Sequence, residues 1–159
     1  MEQPRWPRSQ TSKIQSRLSN ADNPSLGWCQ WRARTPSALV VDDDPDIPPL
    51  VKLALGRYGV SSDSVNDSAS AINRLRVASY DLVILDLGMA GPTGFDVLLT
   101  MKKGTRLREI PVIVLTGNDS DEALARSFGY GADDFVLKPF NANELGMRAY
   151  RLLYPMTSR

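Results

Sequence analysis

The chain has 159 residues, 42% of them hydrophobic and 23% charged, with a formal net charge of +1. That length holds one ordinary domain and a short appendage, and the near-neutral charge argues against a dedicated nucleic-acid binder, whose domain is usually strongly basic. Histidine is absent and Cys29 is the single cysteine, which excludes His-dependent triads, His-rich zinc sites and an internal disulfide, and fits a reducing, cytoplasmic setting.

Residues 1–36 carry six Lys/Arg against two Asp/Glu and are rich in Ser, Gln, Asn and Pro, with no apolar period. This composition predicts a disordered basic tail, in which Trp28 and Trp31 are the unusual residues. No apolar run near the N-terminus is long enough for a signal peptide, and none anywhere is long enough to span a bilayer. From residue 37 the pattern changes. Ala38-Leu-Val-Val41 is a first apolar run, followed by a helical stretch with Ile47, Leu50, Val51, Ala54, Leu55 and Tyr58 on one face. Pro48 and Pro49 fall where that helix should begin. Proline is tolerated in a first turn but not deeper, so the helix is expected to start late or with a distorted turn. Residues 60–65 form the second run, and Ala69, Ile72 and Leu75 mark a weaker helix after it. Residues 81–86 and 110–115 are near-continuous blocks of Leu, Val and Ile, as expected of parallel strands buried on both faces. Between them Phe95, Leu98 and Leu99 start a third helix. Ala123, Leu124, Ser127 and Phe128 make a fourth, with Gly129 as its C-cap. Residues 134–137 are the last run, and Leu145, Ala149, Leu152 and Leu153 make the fifth helix. Alternation of this kind predicts an α/β fold, a doubly wound parallel sheet with helices on both faces. The domain is expected over residues 37–154, with a short C-terminal tail at 155–159.

Ligands of such folds bind beyond the C-terminal ends of the strands. Polar residues stand there in this chain: Asp42, Asp43 and Asp44 after the first run, Asp86 at the end of the third, Thr116 after the fourth and Lys138 after the fifth. If the first and third strands are neighbours, several carboxylates crowd one spot and raise one another's pKa. A hard divalent cation such as Mg²⁺ relieves that crowding, because it favours carboxylate, phosphate and water oxygens. Lys138 adds a positive charge and Thr116 a hydroxyl. A carboxylate nucleophile, a metal, a cation and a donor in one small volume suit phosphoryl transfer, where catalysis is mostly positioning and charge neutralisation. Singly, each residue has a plainer role: Asp43 or Asp44 as a helix cap, Asp86 as a turn residue, Thr116 at a helix entry, Lys138 as a solvated lysine. Their joint placement favours the chemical reading.

The stretches Leu39-Val-Val-Asp-Asp-Asp-Pro-Asp46, Asp81-Leu-Val-Ile-Leu-Asp-Leu-Gly-Met89, Pro111-Val-Ile-Val-Leu-Thr-Gly117 and Gly131-Ala-Asp-Asp-Phe-Val-Leu-Lys-Pro-Phe140 closely resemble the receiver domain of response regulators in two-component signalling. The resemblance implies a flavodoxin-like, chemotaxis-regulator-like fold: a five-stranded parallel sheet of order 2-1-3-4-5 with five helices. It implies Asp86 as phospho-acceptor, Asp43 and Asp86 as direct Mg²⁺ ligands, Asp42 acting through water, and the Gly88 backbone carbonyl also on the metal. Lys138 would grip the phosphoryl oxygens and Thr116 would move toward them. Phe135 occupies the place of an aromatic rotamer switch, the Lys138-Pro139 bond is implied to be cis, and Gly94 fits a turn before the third helix. The implied partners are a sensor histidine kinase or histidine phosphotransfer protein as donor and an unidentified output protein, with a phosphorylation-dependent homodimer through the fourth-helix face as a further expectation. Neither specific nucleic-acid binding nor membrane insertion is expected. Nor is the chain expected to be an enzyme beyond self-catalysed phosphorylation and dephosphorylation of Asp86.

Two departures from the family pattern accompany the match, Pro48-Pro49 in the donor-docking helix and Ala90 in place of a common proline, and a stand-alone receiver with no effector domain after the fifth helix is the expectation. Gly88 and Asn118 hold loop positions that tune aspartyl-phosphate lifetime in the family. One competing reading is a degenerate receiver that binds partners without phosphorylation. Another is a phosphatase of the haloacid-dehalogenase type, imitated by Asp42-x-Asp44. There the acidic pair follows the lysine, whereas here Asp133-Asp134 precede it, and Asp86 would have no role.

Overall fold

The computed structural model describes residues 34–89, 93–117 and 129–155. By its internal contacts the chain divides into two units, residues 1–35 and 36–159, and the description below concerns the second. Residues 1–33 of the expected disordered tail, with Trp28, Cys29 and Trp31, and also Ala90, Asn118 and the fourth helical stretch with Ala123, Leu124, Ser127 and Phe128 lie outside the described residues.

Five strands form one parallel sheet: β1 (Ser37–Val41), β2 (Ser61–Val65), β3 (Leu82–Asp86), β4 (Val112–Thr116) and β5 (Asp134–Leu137), in the order β2-β1-β3-β4-β5. The described helices are α1 (Ile47–Gly56), α2 (Ser68–Val77), α3 (Gly94–Lys103) and α4 (Ala142–Leu153), with a 3₁₀ turn at Leu107–Glu109. This is the doubly wound α/β architecture expected from the alternating pattern. None of the described helices is long and apolar enough to cross a membrane.

Side chains alternate across a strand with period two, and that alternation sorts the core into two layers. Ala38, Val40, Leu82, Ile84, Ile113, Leu115 and Val136 pack against α1 and α4. Leu39, Val41, Val83, Leu85, Val112 and Val114 pack against α2 and α3 on the opposite face. β3 and β4 are buried along their whole length, which is why their sequences run apolar without alternation. Each Leu or Ile so buried contributes about 1.5–3 kcal/mol relative to exposure. β2 is an edge strand, reads Ser-Ser-Asp-Ser-Val and is mostly exposed. Its polar sequence discourages pairing with another chain.

The helix starts follow local chemistry. Asp67 caps α2 by accepting the Ser70 N–H at 2.8 Å. Thr93 and Asp96 form a capping box on α3, and Asn141 accepts the Asn143 and Glu144 amides at the start of α4. α1 has no side-chain cap, yet it begins at Ile47 with Pro48 in its first turn. It does not start late. Pro48 and Pro49 occupy positions whose N–H groups have no partner within the helix, so nothing is lost there. The buried stripe of α1 is Ile47, Val51, Ala54 and Leu55, while Leu50 is 49% exposed rather than on the core face. α2 buries Ser68, Ala71 and Leu75, so Ala69 also lies outside the stripe.

α1 and α4 meet closely because Gly146 has no side chain. A Cβ there would fall 2.4 Å from the Tyr58 ring and 2.8 Å from the Ala54 carbonyl oxygen. Gly146→Ala is expected to destabilise the domain by about 1–3 kcal/mol, the usual cost of overpacking, as a lowered urea midpoint. An unchanged or raised midpoint, as alanine's better helix propensity alone would give, would show that the two helices separate freely.

Candidate functional site

Strand register brings the sequence-singled residues to one edge. Asp42 directly follows β1, and its N–H still pairs with the Val65 carbonyl at 3.1 Å. Asp86 is the last residue of β3 and stands opposite Leu115 of β4. Thr116 follows Leu115 and pairs with Leu137 of β5. The Lys138 N–H donates to the Thr116 carbonyl at 2.8 Å, and the Lys138–Pro139 peptide bond is cis. Asp42, Asp86 and Lys138 continue the alternation of Val40, Ile84 and Val136, the residues facing α1 and α4.

The three side chains meet. Lys138 Nζ donates to Asp42 Oδ2 at 2.7 Å and to Asp86 Oδ2 at 2.9 Å. The remaining carboxylate oxygens are held by backbone: Asp44 N–H donates to Asp42 Oδ1 at 3.0 Å, and Gly88 N–H to Asp86 Oδ1 at 2.8 Å. Asp42 is 1% exposed and Asp86 7%, whereas Asp43 is exposed. Four polar residues are buried among those described; Asp42, Asp86 and Thr116 are three of them. Burying charge is costly unless it is paired and hydrogen-bonded, so this edge is where the domain departs from an apolar interior. One carboxylate oxygen each from Asp42, Asp43 and Asp86 lies within 4.8 Å of the others, a set of hard oxygen donors able to hold a cation.

Burial raises the pKa of Asp42 above its ordinary 3.8, outweighing the bonds from Lys138 and Asp44 that act to lower it. Burial also acts to lower Lys138, but there the bonds to Asp42 and Asp86 win and the ammonium is held above its ordinary 10.5. These shifts act on stability in opposite senses. The gain from Lys138 is complete below pH 10.5 and is lost as pH rises through the folded value. Asp42 holds its proton more tightly folded than unfolded, so its ionised form becomes a cost as pH rises above 3.8 and through the raised value. In chelator at neutral pH, Asp42→Asn is therefore expected to melt higher than the natural chain. The asparagine side chain keeps an oxygen for the Asp44 amide, and Lys138 keeps Asp86. A lower melting temperature would mean that the Asp42–Lys138 pair outweighs the burial cost.

Phe135 lies on β5, half-buried, against the core layer on the α2 and α3 side. Pro139 is exposed. Asp44 does not cap α1; its Oδ1 accepts the Asp46 N–H at 3.0 Å in the turn before the helix. Two features went unforeseen in the sequence. One is the bond from the Gly88 amide to Asp86 Oδ1; Gly88 was expected to act through its carbonyl on a metal and as a loop position tuning aspartyl-phosphate lifetime. The other is the contact of Gly94 with the backbone of Asp86, where a Cβ would fall 2.0 Å from the Asp86 carbonyl oxygen. A glycine opening a helix just after the strand that carries Asp86 was the available signal, and spacing alone does not say what such a glycine touches.

Fold and site together define a doubly wound α/β domain with an acidic, lysine-bridged cluster at the C-terminal edge of its sheet. The family model described as "Response regulator receiver domain" matches residues 38–150, and the chain belongs to that family. It is 34% identical over 110 residues to the phosphate regulon transcriptional regulatory protein PhoB of Escherichia coli, covering 69% of this chain and 48% of PhoB. It is 35% identical over 117 residues to the transcriptional regulatory protein ResD of Bacillus subtilis, covering 72% of this chain and 47% of ResD. The chain thus spans about half the length of the curated relatives it matches. Among solved structures it is similar to the Francisella response regulator 1452 receiver domain, with 30% identity and a TM-score of 0.68 over 74% of this chain and 96% of that one. It is a response-regulator receiver domain of two-component signalling, with the receiver sheet order 2-1-3-4-5.

Proposed function

We propose that the domain takes a phosphoryl group from a phospho-histidine donor onto Asp86 and thereby switches its affinity for an output partner. The observation that carries this reading is the Lys138 ammonium bridging the buried Asp42 and Asp86 carboxylates at 2.7 and 2.9 Å. An Asp86 carboxylate oxygen attacks the phosphorus of the donor. The new O–P bond forms as the P–N bond to the donor imidazole breaks, and the imidazole leaves with the bonding pair and takes up a proton. Lys138 holds one Asp86 oxygen in place before transfer and pairs with a phosphoryl oxygen afterwards. Thr116, on the neighbouring strand end, supplies a hydroxyl to another. The electrostatic work is done by groups already in position, which is the main source of catalysis in phosphoryl transfer.

The Asp42, Asp43 and Asp86 carboxylates are a donor set that fits Mg²⁺; Asp43 and Asp86 would be direct ligands, Asp42 would act through water and the Gly88 carbonyl would complete the protein's share. Bound there, Mg²⁺ would neutralise charge on the phosphoryl oxygens. Residues 37–154 act as the receiver unit, and the basic segment before it lies outside the chemistry. After transfer, Thr116 and Phe135 shift together, and a partner that binds one arrangement better reads the state. The donor is a sensor histidine kinase or a histidine phosphotransfer protein. Hydrolysis of the acyl phosphate by water resets the switch, so self-catalysed gain and loss of phosphate is the only reaction. Pro48 and Pro49, which raised the alternative of a degenerate receiver, are absorbed in the first turn of α1.

The test is intact-protein mass after incubation with acetyl phosphate and Mg²⁺, for the natural chain and for Asp86→Asn. One phosphoryl increment that needs Mg²⁺ and vanishes in Asp86→Asn is expected. A natural chain that gains nothing would point to a binding module that works without phosphate, and an increment that persists in Asp86→Asn would place the acceptor elsewhere.

A further inference from the structure

Asp86 owes its place to more than its own strand. The first residue of α3, Gly94, runs directly against the backbone of the acceptor. A Cβ on Gly94 would sit 2.0 Å from the Asp86 carbonyl oxygen, 2.9 Å from its carbonyl carbon and 2.9 Å from Leu87 Cα. All three are backbone atoms, so no side chain can turn aside to make room. Neither party is free to retreat. Asp86 is paired in register with Leu115, and Leu87 N–H donates to the Leu115 carbonyl at 3.4 Å. The start of α3 is fixed by its capping box, in which Asp96 Oδ2 accepts from Thr93 N at 2.9 Å and from Thr93 Oγ1 at 3.1 Å, while Asp96 N–H donates to the Thr93 carbonyl at 2.9 Å.

We propose that Gly94 is a positioning residue for phosphoryl transfer: the absence of its side chain lets α3 abut the Asp86 backbone and so sets the acceptor carboxylate against Lys138 and the Gly88 amide. This rests on the reading of Asp86 as acceptor. It goes beyond a turn role, since a turn glycine is required by its own φ, and the positive-φ glycines among the described residues are Gly59 and Gly131, not Gly94. The constraint at Gly94 is the neighbour it touches. A methyl group there must push the Asp86–Leu87 peptide or the start of α3, and a displacement of about 1 Å at reacting atoms can slow a reaction by roughly 100-fold.

The experiment compares the natural chain with Gly94→Ala and Gly146→Ala. The second also puts a methyl group into a closed helix contact, at α4 against Tyr58 and Ala54, away from the acidic edge. Labelling by acetyl phosphate with Mg²⁺ is followed over a range of acetyl phosphate concentrations, beside thermal melting and the amide proton–nitrogen spectrum. Gly94→Ala is expected to cut the saturating labelling rate by about 10- to 100-fold and to move the Gly88 amide signal, which reports the bond to Asp86 Oδ1. Gly146→Ala is expected to lower the melting temperature with neither effect. Equal slowing in the two variants, or an unchanged rate and Gly88 signal in Gly94→Ala, would overturn the proposal. If the natural chain takes no label, the acceptor reading falls, and the Gly88 signal alone still decides whether Gly94 positions Asp86. If Gly94→Ala does not fold, Asp96→Ala replaces it. Releasing the capping box lets α3 draw back, so the Gly88 signal should move and labelling should slow, and no change in either would count against the role.

Discussion

One ammonium group holds the site together. Asp42 and Asp86 end neighbouring strands, are almost fully buried, and both turn an oxygen to Lys138 Nζ. Two ionised carboxylates this close in a poorly solvated edge repel each other strongly. Lys138 between them cancels one of the two negative charges, and the amides of Asp44 and Gly88 occupy the remaining oxygens. The cation comes from two strands away, since β4 separates β3 from β5. Neighbouring strands are about 4.8 Å apart, so only a long side chain spans that gap. Lysine meets the need, carrying a compact point charge on a flexible four-carbon stem.

The rest of the domain keeps that meeting in place. Two apolar layers, one on each face of the sheet, clamp β1, β3 and β4 so that their ends stay level. Further ties act at the rim. Lys102 Nζ contacts Asp133 Oδ2 at 3.2 Å, and the same oxygen accepts the Val112 amide at 2.9 Å, joining α3 to the beginnings of β4 and β5. Arg106 donates to the Leu75 carbonyl at 2.7 Å and ties the end of α2 to the segment after α3.

Much of this was legible in the sequence, for reasons that can be named. β3 and β4 announce themselves because burial on both faces demands unbroken apolar runs. The acidic edge was legible because Asp42, Asp86, Thr116 and Lys138 each stand where such a run stops. Strand order was not available from periodicity and came from family resemblance, since contacts 52 and 96 residues apart leave no local trace. Leu50 was misplaced for a related reason: helical spacing marks the edge of an apolar stripe as readily as its centre, and only packing against the sheet distinguishes them. Gly94 looked like a turn residue because its constraint lies in the backbone of a different element. Asp44 looked like a cap, but the chain turns once more before α1 begins.

The central claim is that Asp86, of the two carboxylates held by Lys138, is the one that accepts phosphate. Reductive trapping tests it most directly, because borohydride converts an aspartyl phosphate to homoserine and leaves ordinary aspartate intact. After labelling with acetyl phosphate and Mg²⁺, reduction and peptide mapping should find homoserine at position 86 and nowhere else. Homoserine at position 42 or 43, or none in a chain that has gained a phosphoryl increment, would contradict the account.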